Sequence, residues 1–476
     1  MRYKTIIGLE IHAELSTDTK IFCDCINEFG GGANTHCCPV CLGMPGAMPR
    51  LSKESIEYAI RAGLSFHSSI NQRNKMDRKN YFYSDLVKGY QVSQDDIPIC
   101  EGGYISIETE SGDKDINLIR IHIEEDTGKS IHTEDGDTLL DYNRAGVPLI
   151  EIVSEPEISS SEEAKLFLEN LRDTLKYIDV SDCKMEEGSL RCDVNINIVD
   201  EESGKRTTIS EIKNLNSFSS VGKSIEYEEE RHKSLLKDGK DTARETRRWD
   251  EVEGKTVLMR EKGDADDYRF AVDGDILPIE VSDSWVEEIK ESMPELPDEK
   301  RDRFMEEYNL SKYDAEVLTD DKDVAVFFEE TVDHIDDPGL VSNWIMGDVL
   351  RRLSEEDGDI SSLKFDAKDL SDLLKIVKSG EINNNTGKKV LREMHETGKK
   401  PGDVVEDEGL AQISDEDELE TIVDGVLDEN EQSIIDYKNG KDRALGFLVG
   451  QVMKATRGKA NPQLVNKLLK EKIDER

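Results

Sequence analysis

The sequence has no long apolar run. No stretch of about 18 consecutive apolar residues occurs, so no segment is suited to span a membrane as a helix. Aromatic residues are few, at 6% with three tryptophans, so the cores must be mostly aliphatic. Positive charge is scarce: 62 lysines and arginines face 105 acids, for a net charge of −43. Bulk charge therefore opposes any sequence-independent grip on a phosphate backbone. No G-x-x-x-x-G-K-[ST], G-x-G-x-x-G or G-x-S-x-G stretch is present, which removes the standard phosphate loops and the hydrolase elbow. Internal repeats and low-complexity tracts are absent too. The opening "MRYKTIIGLEIHAEL" alternates like a strand and lacks the basic end and apolar block of a signal peptide. A cytoplasmic location is expected, where disulfides are disfavoured. An acidic disordered chain is excluded by the regular strand and helix patterns, which leaves adaptation of the surface to a salty cytoplasm as the favoured reading of the charge.

Cysteine is unevenly spread. Five of the eight fall between Cys23 and Cys41. Cys23-x-Cys25 and Cys38-x-x-Cys41 make two pairs separated by twelve residues. Two short turns converging on one ion form a zinc knuckle with four sulfurs and no open position. Gly30, Gly31, Gly32 and Pro39 supply turn residues. Cys37 is an alternative to Cys38, and His36 is a weaker candidate. Such a zinc would organise the loop and do no chemistry.

The expected fold class is α+β. Residues 1–293 read as a large, mostly antiparallel sheet domain, from runs such as "GYISIETE", "IRIHIEED", "PLIEIVSEP" and "RCDVNINIVD". A helix is predicted after Ser160, with Ser160 and Glu163 as a capping box. Ala164, Phe167, Leu168, Leu171, Leu175 and Ile178 form its buried face. A second helix covers "SIEYEEERHKSLLKDG". Pro294 and Pro297 mark a boundary, followed by an all-helical domain over 294–405. "GKKPGDVVEDEG" reads as a linker, and 406–476 as a helical tail domain. In the tail Asn461 is the expected N-cap and Pro462 the first helical residue. From Lys441 onward the chain turns locally basic, through Lys454, Arg457, Lys459, Lys467, Lys470 and Lys472. A basic end on so acidic a chain fits a polyanionic partner.

Several strands carry isolated acids. Glu10 and His12 are two apart and so share one face. Glu125, Glu151 and Asp193 lie in other apolar strands. An acid among apolar neighbours is costly to bury unless it meets a cation. Carboxylates with one histidine are a plausible ligand set for Mg²⁺. "MDRKNYFYSDLVKGYQVSQ" brings Arg78, Lys79 and Lys88 together with Tyr81, Tyr83 and Tyr90. Aromatic faces and lysines in one segment suit a nucleotide such as ATP.

Taken together, "GLEIHAEL", "FCDCINEFG…NTHCCPVCLGMPGAMP", "DRKNYFYSDLVKGYQVSQ", "DYNRAGVPLIEIVSEP", "CKMEEGSLRCDVNINI", "EIKNLNSF", "ETRRWDE" and "FLVGQVMKATRGKANP" resemble the B-subunit family of aspartyl/glutamyl-tRNA amidotransferases. No large insertion follows "ETRRWDE", which separates it from the archaeal paralogue with an extra domain. The resemblance implies a catalytic cradle, a helical domain and a tail that contacts tRNA. It implies ATP-dependent phosphorylation of the side-chain carboxylate of Glu-tRNA(Gln) or Asp-tRNA(Asn). Amidation follows, with ammonia from a glutaminase A subunit and a small C subunit completing a heterotrimer. By matching motifs, Glu10, His12, Glu125, Glu151 and Asp193 are expected to hold Mg²⁺ and carry the catalysis. Lys79, Tyr81 and Lys88 are expected near the nucleotide, and Cys23, Cys25, Cys38 and Cys41 around structural zinc. Lys454, Arg457, Lys459 and Lys467 are expected to meet the tRNA. The rival expectation is a non-catalytic, zinc-containing RNA-binding scaffold, which leaves the strand acids unexplained.

Overall fold

The computed structural model describes residues 3–133, 135–240, 243–261, 268–356, 358–410, 416–438, 441, 443–456, 460 and 462–476. The strand Tyr3–Glu14 alternates strictly. Ile7, Leu9, Ile11 and Ala13 are sealed from solvent, while Glu10, His12 and Glu14 between them are half-buried. This strand lies in the middle of a ten-stranded sheet. On one side follow Leu190–Asp200, Ser210–Lys213, Glu245–Asp250 and Lys255–Glu261. On the other follow Pro148–Ser154, Gly112–Glu125, Cys100–Glu101 and Ser69–Ile70, with Tyr104–Thr109 paired as a hairpin to Gly112–Glu125. Among the described residues, only Ser210–Lys213 and Glu245–Asp250 run parallel. The expected mostly antiparallel sheet is present.

The core against the sheet includes the helices Ser161–Tyr177 and Phe218–Lys237, together with Lys53–Ser65. All six apolar positions expected for the first helix are buried. Its capping box forms only in half. The Ser160 hydroxyl accepts the Glu163 N–H at 3.1 Å, but the Glu163 carboxylate accepts from Ser159 N–H at 2.8 Å and from Lys114. Lys114 draws the acid one residue away from the cap.

The second helix places a carboxylate against the sheet. Glu228 is fully buried and meets Arg231 at 2.7 Å, His232 at 3.2 Å, Arg247 at 3.3 Å and the Thr256 hydroxyl. Burial opposes its charge, yet hydrogen bonds from His232 and Arg231 outweigh it and lower its pKa from 4.5 to about 2. A depressed carboxylate contributes stability that is present above pH 4.5 and lost as pH falls toward 2, by about 3 kcal/mol in all. Glu228→Gln is expected to destabilise this unit by about 3–5 kcal/mol at pH 7. The gap from wild type should narrow in urea unfolding at pH 2–3; a gap independent of pH refutes the assignment.

The chain divides into two compact units, Met1–Leu296 and Pro297–Arg476. Among the described residues, every named element of the second unit is helical. It contains two apolar clusters, one from Phe304 to Val405 and one from Leu419 to Ile473. The expected linker is corrected here. Pro401–Asp407 is a helix with Pro401 at its first turn, and Val404 and Val405 are buried in the first cluster. Gly398 ends the preceding helix in a left-handed conformation, with φ of 73°. In the tail, Pro462 opens the helix Pro462–Glu475 as expected, whereas Asn461 lies outside the described residues.

Candidate active site

The polar face of the central strand meets its neighbours in register. Arg191, His12, Glu151 and His122 stand opposite one another across four strands. One rung away Glu10 stands opposite Asp193. Directly opposed side chains on one face lie within contact reach. His12 Nε2 is 3.3 Å from both Glu124 and Glu151, and His122 Nε2 is 3.4 Å from Glu151. Two donor groups result, Glu10–His12–Glu151 and His122–Glu124–Glu151, each with its ligand atoms within 4.8 Å of one another. They share Glu151.

The electrostatics follow from burial and proximity. Burial, with Glu151 and Asp193 nearby, raises the Glu10 pKa. Burial opposes the His12 charge, but hydrogen bonds to Glu124 and Glu151 outweigh it and hold its pKa well above the usual imidazole value. Burial likewise opposes ionisation of Glu151, while His122 and His12 keep its pKa well below the usual carboxylate range. Burial pushes Glu14 up to about 7. Mixed carboxylate and imidazole donors fit a divalent cation. His122 Nδ1 is buried without a hydrogen-bond partner among the described residues, an orphan polar atom at the edge of the cluster.

Of the five expected site residues, Glu10, His12 and Glu151 come together. Asp193 adjoins them but is ion-paired with Lys213, which also lies 3.4 Å from Glu211. Glu125 does not join them, and this corrects the expectation. Strand alternation puts His122 and Glu124 on the site face and Glu125 on the other. There Glu125 binds Lys88 Nζ at 2.5 Å and accepts the Val92 N–H at 2.8 Å. His122 and Glu124 are the residues sequence reasoning missed. Their signal was legible: they alternate with Ile121 and Ile123 as Glu10 and His12 alternate with Leu9 and Ile11.

Lys79, Tyr81 and Lys88 fall in and beside a small sheet of Asp77–Asn80, Tyr90–Ser93 and Ala271–Val272. Lys79 Nζ sits 4.8 Å above the Tyr268 ring, and Tyr81 donates to Gln91 at 3.2 Å. Burial raises the Tyr81 pKa. Lys88, engaged with Glu125, lines a cavity with Cys23, Cys41, Tyr90 and Asp273. Gly43, with φ of 61°, lets the cysteine loop approach: a Cβ there would lie 2.5 Å from Lys88 Cγ.

Cys23, Cys25, Cys38 and Cys41 gather with all four sulfurs within 4.8 Å of one another and could hold zinc. Cys38 N–H donates to Cys41 Sγ at 3.1 Å. A hydrogen bond from Cys23, that N–H and the charge of Lys20 lower the Cys41 pKa to about 4, against burial. Thiolate character is what zinc needs. The four-sulfur group includes Cys38; the Cys37 sulfur lies 3.8 Å from Asn143 Oδ1.

Lys454 and Lys467 are exposed on helices of the last cluster. Lys472 is paired with Glu420 and Asp424. Arg457 and Lys459 lie outside the described residues. No helix among the described residues is long and apolar enough to cross a membrane.

Comparison with known proteins bears on the whole chain. The family described as GatB/GatE catalytic domain matches residues 5–287, and that described as GatB domain matches residues 326–473. The chain is 54% identical over 473 residues to the B subunit of the aspartyl/glutamyl-tRNA(Asn/Gln) amidotransferase of Finegoldia magna, covering 99% of this chain and 100% of that protein. It is 54% identical over 475 residues to the protein of the same name from Clostridium tetani, covering 100% of this chain and 99% of that protein. The chain belongs to the family of aspartyl/glutamyl-tRNA(Asn/Gln) amidotransferase B subunits.

Proposed function

We propose that this protein is the B subunit of a heterotrimer that converts Glu-tRNA(Gln), Asp-tRNA(Asn) or both into the amidated forms. The supporting observation is the shared-carboxylate cluster of Glu10, His12, Glu151, His122 and Glu124 on one half-buried sheet face. A carboxylate oxygen of the aminoacyl side chain attacks the γ-phosphorus of ATP. The bond to the β–γ bridging oxygen breaks and ADP leaves. Ammonia then attacks the acyl carbon, phosphate departs with the carbon–oxygen bond pair, and the nitrogen loses a proton. Activation is needed because ammonia cannot expel oxide from a carboxylate at neutral pH. Bound Mg²⁺ supplies charge neutralisation of the phosphates. Glu10, His12 and Glu151 would hold it, with His122 and Glu124 beside them. Asp193, ion-paired with Lys213, borders the same rim. Lys79, Tyr81 and Lys88 are the residues proposed to meet the nucleotide. The four cysteines hold a structural zinc, and the basic residues of the tail, Lys454 and Lys467 among them, meet the tRNA. Such a protein works in the cytoplasm with the glutaminase A subunit and the small C subunit.

The test is co-expression with A and C partners, purification of the assembly, and amidation of mischarged tRNA with ATP and glutamine. ATP-dependent product is expected from the assembly and none from this chain alone with glutamine. An assembly that binds mischarged tRNA but forms no product overturns the reading.

A further inference from the structure

The site face carries many acids and must still receive anionic substrates. Its cations are therefore informative. Lys213 is held by Asp193 and Glu211. Arg144 is also engaged: its Nε and Nη2 bind Asp126 at 3.0 and 2.8 Å, and Nη2 reaches the Gly188 carbonyl at 3.1 Å and Glu14 at 3.4 Å. Arg191 is different. It stands opposite His12 in register, on the same face of the sheet. Its ion-pair partner among the described residues is Asp126, met by one nitrogen at 3.0 Å. Its side chain is 45% exposed. A guanidinium has five N–H donors, so one contact leaves donor capacity over on a residue that shares the sheet face of the His12–Glu151 cluster.

Asp126 fixes that geometry. It is buried, its Oδ2 is taken by Arg144, and its Oδ1 serves Arg191 and the Thr127 N–H. The two guanidinium charges outweigh its burial and keep its pKa low. Arg191 is thus held through one terminal nitrogen, Nη2, by the Asp126 carboxylate, and its side chain remains partly exposed. A planar fork of this kind matches a carboxylate in two parallel hydrogen bonds.

We propose that Arg191 receives the side-chain carboxylate of the aminoacyl-tRNA and is the residue by which the enzyme distinguishes that acid from its amide product. This rests on the amidation reading above. The adjacent carboxylate–imidazole cluster suits a metal and hence phosphate, which leaves the acyl carboxylate as the anion for this partly exposed guanidinium to receive. An uncharged amide offers the fork one acceptor oxygen in place of two and a pair of N–H groups that face a donor. Product is thereby released.

The experiment uses the assembled heterotrimer, with ammonium as nitrogen source so that the glutaminase is bypassed. Wild type, Arg191→Gln and Arg191→Lys are compared for the KM of mischarged tRNA, the KM of ATP, and inhibition by the amide-charged tRNA. For Arg191→Gln, kcat/KM for mischarged tRNA should fall about 100-fold while the KM of ATP stays within about twofold. The preference for acid-charged over amide-charged tRNA should vanish, and Arg191→Lys should restore part of it. A rise in the KM of ATP with tRNA discrimination intact assigns the guanidinium to phosphate and overturns the proposal. Parallel loss of both constants with a lowered melting temperature, or no change in either, overturns it as well. A wild-type assembly without ATP-dependent amidation sinks the amidation reading itself, before any variant is compared.

Discussion

Glu151→Ala is expected to lower amidation by the assembled heterotrimer about a thousandfold or more while tRNA affinity stays at the wild-type level. Glu151 is the one carboxylate common to both donor groups, and both histidines contact it. Its loss removes a ligand from whatever cation sits there and frees two imidazoles at once. Ala retains the strand, because its neighbours Ile150 and Ile152 anchor the other face of the sheet. Glu151→Gln separates charge from shape: it keeps the packing and should still lose most of the activity. Equilibrium binding of mischarged tRNA provides the decisive comparison. If affinity and amidation fall together, this face serves binding, and the scaffold reading gains what the catalytic one loses.

The second large effect concerns the cysteines. Zinc at four sulfurs contributes roughly 10 kcal/mol to folding in small domains. Here that energy acts on one loop. Among its ties to the rest of the unit, Asn34 bonds Asp141, Leu140 and Tyr142, and the His36 N–H bonds Asn143. Cys41→Ser, or a chelator, is expected to erase hydrogen-exchange protection across residues 20–49 and weaken it at 140–146. The central sheet should keep its protection. Metal analysis should read about one zinc per wild-type chain and almost none for the variant. Unchanged exchange in the metal-free protein would falsify the structural role.

Much of this was legible in the sequence because period-2 alternation survives in it. The central strand, its partners at 148–154 and 190–200, and the helix after Ser160 all follow from apolar spacing alone. Glu10, His12 and Glu151 were reachable for the same reason: each is a polar residue at a position where alternation demands a face. Glu125 shows where this fails. Glu124 and Glu125 are adjacent acids at a strand end; alternation with Ile121 and Ile123 groups Glu124 with His122, and the register with Pro148–Ser154 brings that face to His12. Arg144, Asp126 and Arg191 are distant in the chain, and no local pattern announces that they meet. The Pro401–Asp407 helix was hidden by its composition. Gly, Lys and Pro read as a linker, whereas Pro at a first turn and two buried valines make a helix.

The position of the Tyr3–Glu14 strand has a consequence during synthesis. It pairs on one side with Pro148–Ser154 and on the other with Leu190–Asp200. At about 5–20 residues per second, roughly 10–35 s pass between its translation and that of its second partner. Until Pro148–Ser154 is made, a strand built to be paired on both edges has neither neighbour, and until Leu190–Asp200 follows it has only one, so ribosome-associated chaperones have reason to hold it. Its charged and titratable side chains, Glu10, His12 and Glu14, then act as gatekeepers against sticking to other nascent chains. The chemistry proposed for the folded protein and the solubility of its unfinished chain would both draw on Glu10 and His12.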